Sequence, residues 1–164
     1  MITDIVFNDK VILKKLTESD ADFLYNLYSK PELLINFDSS PFLPNETPQQ
    51  FTNRIITACK YIWTIREVRN PEFVIGDCAL HDWDKIKAEI LIGGSLSPEY
   101  WGQGIMQSSF ELLIKLSKEH LGVKILLGQT KTRNLKAIRL MERMWFEKIT
   151  VDEQDTFMRK VISK

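Results

Sequence analysis

Residues 97–106, Ser-Pro-Glu-Tyr-Trp-Gly-Gln-Gly-Ile-Met, limit what this chain can fold into more than any other stretch. They follow an apolar run that carries Gly93-Gly94. They precede a pattern in which Ile105, Phe110, Leu113, Ile114 and Leu116 recur mostly on one side of a helix. The order is a strand, a glycine-rich turn and a helix start. A helix start leaves backbone N–H groups unpaired and carries the positive end of the helix dipole, so it receives anions, phosphate above all. Gly102 and Gly104 remove side chains that would keep a phosphate from the backbone. The expected donors are the amides of Gly102, Gln103, Gly104, Ile105, Met106 and Gln107. The spacing is neither that of a dinucleotide fingerprint nor that of a nucleotide P-loop. Gly-x-Gly alone reads equally as a plain turn; its place between strand and amphipathic helix favours the anion site.

Around this segment, strand and helix patterns alternate. Residues 10–16 read as a strand, and Thr17 to Asp20 offer cap chemistry for a helix carrying Phe23, Leu24, Leu27 and Tyr28. A short helical piece is expected over 32–36. Thr47-Pro48 has the form of an N-cap followed by proline at the first helical position, opening a helix over 48–60. Strands follow at 61–66, 73–80 and 86–96, with a hairpin loop at 81–85. The glycine pair in the last of these predicts a bulge or a close backbone approach. A helix over 102–119, a buried strand over 123–128, a helix over 134–144 and strands at 146–151 and 156–162 complete the chain. The resulting order, β-α-α-β-β-β-α-β-α-β-β, predicts a mixed α/β sheet.

Composition narrows the function. The 164 residues suit one domain spanning 1–164. Twenty-two Lys and Arg balance 22 Asp and Glu, so the formal net charge is zero and no basic footprint for nucleic acid is expected. No apolar run approaches the roughly 20 residues of a membrane span. The opening MITDIVFNDK lacks a charged start followed by an apolar stretch, so no signal peptide is expected. Cys59 and Cys78 form no CxxC pair and read as small hydrophobes. His81 and His120 are not spaced as a metal pair, and no metal is expected. The reading is a cytoplasmic protein with no membrane and no nucleic-acid partner.

The turn and its flanks resemble a family. W-G-Q-G-I-M, preceded by a strand and S-P-E-Y, resembles the acetyl-CoA signature of GCN5-related N-acetyltransferases, and most closely the ribosomal-protein N-terminal acetyltransferase branch. K-V-I-L-K-K-L-T-E-S-D-A is similar to that branch's first strand and helix start. N-L-K-A-I-R-L-M-E-R-M-W-F-E-K-I is similar to its later helix. The resemblance implies a central, splayed, mostly antiparallel sheet flanked by helices, split between the strands at 86–96 and 123–128. It implies acetyl-CoA as cosubstrate, with pyrophosphate on the turn and pantetheine in the split beside Asn134. Lys131, Arg133 and Lys136, which bracket Asn134, are candidates for its phosphates. The backbone of Leu91, Ile92 and Gly93 would polarise the thioester carbonyl, and Glu89 would be the general base. The acceptor would be a small-molecule or peptide amine, and the protein a monomer or homodimer. The chain departs from the family pattern at Leu91, at Gln107-Ser108-Ser109, at Ala137 and at Trp145-Phe146. Those departures keep a second reading open, an acyl-CoA-binding module with little or no transferase activity.

Overall fold

The structure, a computed structural model, describes residues 2–163. Strands β1 (Ile5–Phe7) and β2 (Val11–Lys15) form an N-terminal hairpin. Helices α1 (Ala21–Tyr28), α2 (Pro31–Leu34) and α3 (Pro48–Ala58) follow. Three antiparallel strands come next: β3 (Tyr61–Glu67), β4 (Gly76–Asp84) and β5 (Glu89–Leu96). Then come α4 (Ile105–His120), β6 (Ile125–Lys131), α5 (Leu135–Arg143), β7 (Glu147–Val151) and β8 (Asp155–Val161). All eight strands lie in one sheet, ordered β1-β2-β3-β4-β5-β6-β8-β7. Every neighbouring pair is antiparallel except β5 and β6. Those two are joined through α4, as a parallel pair requires a long crossover. None of the described helices is long and apolar enough to cross a membrane.

Alternation along the strands gives the sheet two apolar faces. Leu13, Trp63, Ile65, Leu80, Ile90 and Ile92 pack with Ile105, Phe110 and Leu113 of α4 and Met141 of α5. On the other face Ile62 and Ala79 pack with Leu24 of α1 and Phe51 of α3. The capping signal at Thr47 is realised: its side-chain oxygen accepts the Gln50 N–H at 3.1 Å, and the Gln50 side chain accepts the Thr47 N–H at 3.0 Å.

Several boundaries differ from the sequence reading. β1 carries too few residues for a periodic signal. β4 starts at Gly76 rather than at 73 and continues through Asp84. The hairpin turn therefore falls at 85–88, with Ile86 exposed at its tip, not at 81–85. β4 is extended past a register shift between His81 and Asp84, where Asp82 adopts φ 50. Gly93-Gly94 carries no bulge, because its register with Ala79 and Cys78 is unbroken. The close-approach reading holds instead: a Cβ on Gly94 would lie 2.7 Å from the Asp77 carbonyl oxygen and 3.0 Å from Met106. The helix expected from 102 begins at Ile105, since Gly102 and Gly104 take left-handed φ values of 76 and form the turn.

Trp145, one of the departures from the family pattern, closes α5 at φ 66 and is 81% exposed. The Trp145 N–H donates to the Glu142 carbonyl at 3.0 Å and the Phe146 N–H to the Met141 carbonyl at 2.9 Å. This is a Schellman closure, whose left-handed position favours glycine. Trp145→Gly is expected to stabilise the fold by about 1 kcal/mol. A urea midpoint at or below that of the unaltered protein would contradict it.

β5 pairs with β6 only over Glu89, Ile90 and Leu91, against Ile125, Leu126 and Leu127. Beyond Leu91, β5 runs on beside β4 to Leu96, while β6 runs on beside β8 to Lys131. The sheet is split there, and among the described residues the β5 edge from Ile92 to Leu96 has no strand partner on that side. The expected splay between these two strands is present.

Candidate active site

A cavity of about 790 Å³ occupies the split. One wall is the free end of β5, Gly94 to Leu96. The next is the glycine turn with the first residues of α4, and a third is α5 with Asn134, Ala137 and Leu140. Leu33 and Phe37, in and after α2, close the far side.

The start of α4 differs from the starts of α3 and α5. α3 is capped by Thr47, and α5 by Asn134, whose Oδ1 accepts the Ala137 N–H at 3.3 Å. α4 has Gly104 as its N-cap and no side-chain cap. Its first hydrogen bond across the turn is Ser108 N–H to the Gly104 carbonyl at 3.1 Å. The amides of Ile105, Met106 and Gln107 therefore lack helix-internal partners, and all three residues line the cavity. A 16-residue helix aims its positive dipole end at this space. Uncapped amides beside a cavity fit an anionic group such as pyrophosphate. Lys10 adds a cation that the sequence reading missed: its Nζ donates to the Gln103 carbonyl and would sit 3.1 Å from a Cβ on Gly104. Only the fold brings residue 10 to residue 104.

Of the residues expected to hold the cofactor, Gly102, Gly104, Ile105, Met106, Gln107, Asn134 and Lys136 line the cavity. Gln103 does not; its side chain turns back to donate to the Glu99 carbonyl at 3.2 Å. Trp101 packs the turn, donating Nε1–H to the Leu96 carbonyl at 2.8 Å, and Lys136 Nζ lies 4.4 Å from the centre of its ring. Asn134 also holds the fold, because its Nδ2 donates to Thr130 at 3.2 Å while its Oδ1 caps α5. Lys131 and Arg133 are engaged elsewhere. Lys131 pairs with Asp38 and, at 3.0 Å, with Asp155, and Arg133 Nε donates to the Ile35 carbonyl at 2.8 Å. Together they tie the segment after α2 to the end of β6, bridging the open end of the split. The hydrogen bond from Lys131 holds the Asp38 carboxyl below its ordinary value.

Glu89 is the first residue of β5, opposite Asp84 and Ile125, at the closed end of the split. Leu91 ends the β5–β6 pairing, and Ile92 and Gly93 begin the free edge. Those four residues do not line the cavity. The His81 ring reaches over Gly93 from β4, and its Nδ1 lies 2.8 Å from Asp82.

One polar group lies deep in the fold beside the cavity. Asp77 on β4 is 2% exposed and faces α1. The Tyr28 hydroxyl donates to Asp77 Oδ2 at 3.1 Å, and the Ser95 hydroxyl donates to the Tyr28 oxygen at 3.2 Å. Ser95 is the register partner of Asp77 and lines the cavity. Burial pushes the Asp77 carboxyl up to about 7, against the opposing pull of the Tyr28 hydrogen bond. Burial and then the charge of Asp77 push Tyr28 well above its ordinary value. Burial likewise moves the Cys59 thiol up to about 11 and Cys78 well above the ordinary range, so neither is activated as a thiolate. Among the described residues, no group of three or more His, Cys, Asp and Glu side chains is placed to hold a metal ion.

A model of the acetyltransferase (GNAT) domain matches residues 10–147. The uncharacterized N-acetyltransferase p20 of Bacillus licheniformis is 22% identical over 147 residues, covering 87% of this chain and 82% of that protein. The fold is shared with the GNAT-family acetyltransferase of Bacillus anthracis, at TM-score 0.79 and 13% identity, covering 96% of this chain and 98% of the other. It is shared as well with the Vibrio cholerae spermidine N-acetyltransferase in complex with CoA and spermine. That likeness has TM-score 0.75 and 18% identity, covering 94% of this chain and 96% of the other. The chain belongs to the GNAT acetyltransferase family. It has that family's acyltransferase fold and is an acetyltransferase enzyme.

Proposed function

We propose that this protein transfers the acetyl group of acetyl-CoA to a primary amine by direct attack, without a covalent enzyme intermediate. The observation that carries the reading is one cavity joining the uncapped start of α4 to the free edge of β5. The amides of residues 105–107, with Lys10 nearby, would hold the pyrophosphate. The unpaired β5 edge from Ile92 onward would offer backbone groups to the pantetheine arm and polarise the thioester carbonyl. Trp101 and Leu140 would keep water off the arm. Asn134 and Lys136 would border it, and Glu89, the base that the resemblance implies, starts β5 away from the cavity wall. The amine would enter from the α2 side, past Leu33 and Phe37. Likeness to the ribosomal-protein branch favours a protein α-amine, and likeness to a spermidine acetyltransferase favours a small polyamine. All eight strands lying in one sheet supports a single catalytic unit over 1–164.

Acetyl-CoA at about 100 times its Kd is expected to add about 2.7 kcal/mol to stability and to raise Tm, with NAD at the same concentration adding far less. Equal stabilisation by NAD would overturn the CoA assignment. Stabilisation without thiol release across a panel of amines would replace transfer with binding alone.

A further inference from the structure

We propose that Ser95, Tyr28 and Asp77 form a proton relay from the cleft into the protein, with Asp77 the terminal acceptor of the proton leaving the substrate amine. The proposal rests on the acetyl-transfer reading above and names the base for it. Its geometry is a continuous hydrogen-bonded chain: Ser95 on the cavity wall donates to Tyr28 at 3.2 Å, and Tyr28 donates to Asp77 at 3.1 Å. Three elements supply it, β5, α1 and β4. Both bonds are longer than the usual O–H···O contact of about 2.5–3.0 Å, as catalytic hydrogen bonds often are before substrate fills the site. Glu89 lies six residues from Ser95 along β5, about 20 Å at strand rise, and off the cavity wall.

The proton balance is complete. The substrate ammonium gives a proton to Ser95 Oγ as the serine proton moves to the Tyr28 oxygen and the tyrosine proton to Asp77 Oδ2. Serine and tyrosine end neutral with their hydrogen bonds reversed, Asp77 ends as the acid, and the amine is free to attack. The thioester C–S bond breaks as the C–N bond forms, and the second proton of the attacking amine passes to the leaving thiolate sulfur. Asp77 returns its proton to solvent along the same path, so ammonium and acetyl thioester become amide, thiol and one released proton.

The surroundings of Asp77 suit the role. The titratable groups around it are Tyr28 from α1, Cys59 after α3 and Cys78 beside it on β4, and its strand neighbours are Thr64 and Ser95. Among the described residues no Lys, Arg or His pairs with it. An acid raised to about 7 nearly matches an α-amine near 7.8, and is a stronger proton acceptor than an ordinary carboxylate by about three powers of ten.

The test is the pH dependence of acetyl transfer from acetyl-CoA to spermidine and to a short peptide with a free α-amine. Asp77→Asn and Tyr28→Phe are each expected to lower kcat by about 100-fold or more. Both should also abolish the acidic limb centred near 7, with CoA affinity within about twofold of the unaltered protein. Tyr28→Phe keeps the ring contacts to Phe37 and Phe51, so it interrupts the relay without opening the core. Ser95→Ala interrupts it from the cleft end. A Tyr28→Phe protein with kcat within about threefold and an unchanged limb would overturn the relay, whether or not Asp77→Asn folds. Absence of transfer by the unaltered protein to either amine would overturn the transfer reading, and the relay with it. Transfer with unaltered variant profiles would overturn the relay alone, and Glu89→Gln and His81→Gln would then locate the base.

Discussion

At pH 8, Asp77→Asn is expected to make the protein about 4 kcal/mol more stable than the unaltered chain, and at pH 4 to leave it nearly unchanged. Burial raises the folded-state carboxyl to about 7, whereas the unfolded chain titrates near 3.9. The folded state therefore binds this proton more tightly than the unfolded state. Protonation supports the fold fully below about pH 4, and that support is lost as pH rises to about 7. The lost support, about three pKa units, corresponds to about 4 kcal/mol. Asparagine cannot ionise, and its amide oxygen can still accept the Tyr28 hydroxyl. Carboxylates such as Asp38, Glu46 and Asp152, each held low by its partners, titrate alike in both proteins and cancel in the comparison. Urea unfolding at pH 4, 6 and 8 measures the gap. A gap that does not widen with pH would show that Asp77 is not an acid held against burial.

An unpaired acid at this depth weakens the protein across the pH range in which an α-amine titrates. Buried groups with strongly shifted pKa values concentrate at functional sites, and Asp77 is joined to the cavity by two hydrogen bonds. Loss of stability on ionisation and readiness to accept a proton near neutrality are the same property. A variant that gains stability at pH 8 while losing turnover would therefore tie the two measurements to one group.

What the sequence carried clearly was local. The strand, glycine turn and helix at 93–110 is one continuous segment, as is the N-cap and proline pair at Thr47-Pro48. Each depends on residues within a few positions of one another. The misplaced hairpin has a similar origin: His81 to Asp84 continue the strand only because a bulge at Asp82 restores the register, and no periodic pattern encodes that. Through-space pairs were not legible. Lys131 looked like a phosphate ligand until the fold placed Asp38 beside it, 93 residues away. The helical pattern marks Tyr28 only as a helix-face aromatic, and nothing in the strand at 73–80 singles out Asp77. Their bond spans 49 residues and follows from packing α1 on β4. Lys10 reaches the turn at Gln103 by the same kind of closure.

Gly102→Asp is expected to weaken acetyl-CoA binding on the order of 100-fold relative to Gly102→Asn, with both variants folded. Gly102 is left-handed at φ 76, and a Cβ there meets nothing within 4 Å. Asp and Asn tolerate that conformation better than other side chains, whereas valine would confound binding with backbone strain. The two substituents are nearly equal in size and differ by one negative charge beside the start of α4. A like-charge pair about 4 Å apart near a protein surface is worth about 4 kcal/mol, and solvent and salt reduce it. A loss near 100-fold, about 2.7 kcal/mol, is what remains after moderate screening. The gap between the variants should narrow in 0.5 M salt, because the repulsion is electrostatic. Gly104 is a poorer site for this test, since a carboxylate there would meet Lys10 Nζ. Titration of both variants with acetyl-CoA at two salt concentrations decides the matter. Equal affinities would place the phosphates away from this turn, and the uncapped amides of residues 105–107 would then need another occupant.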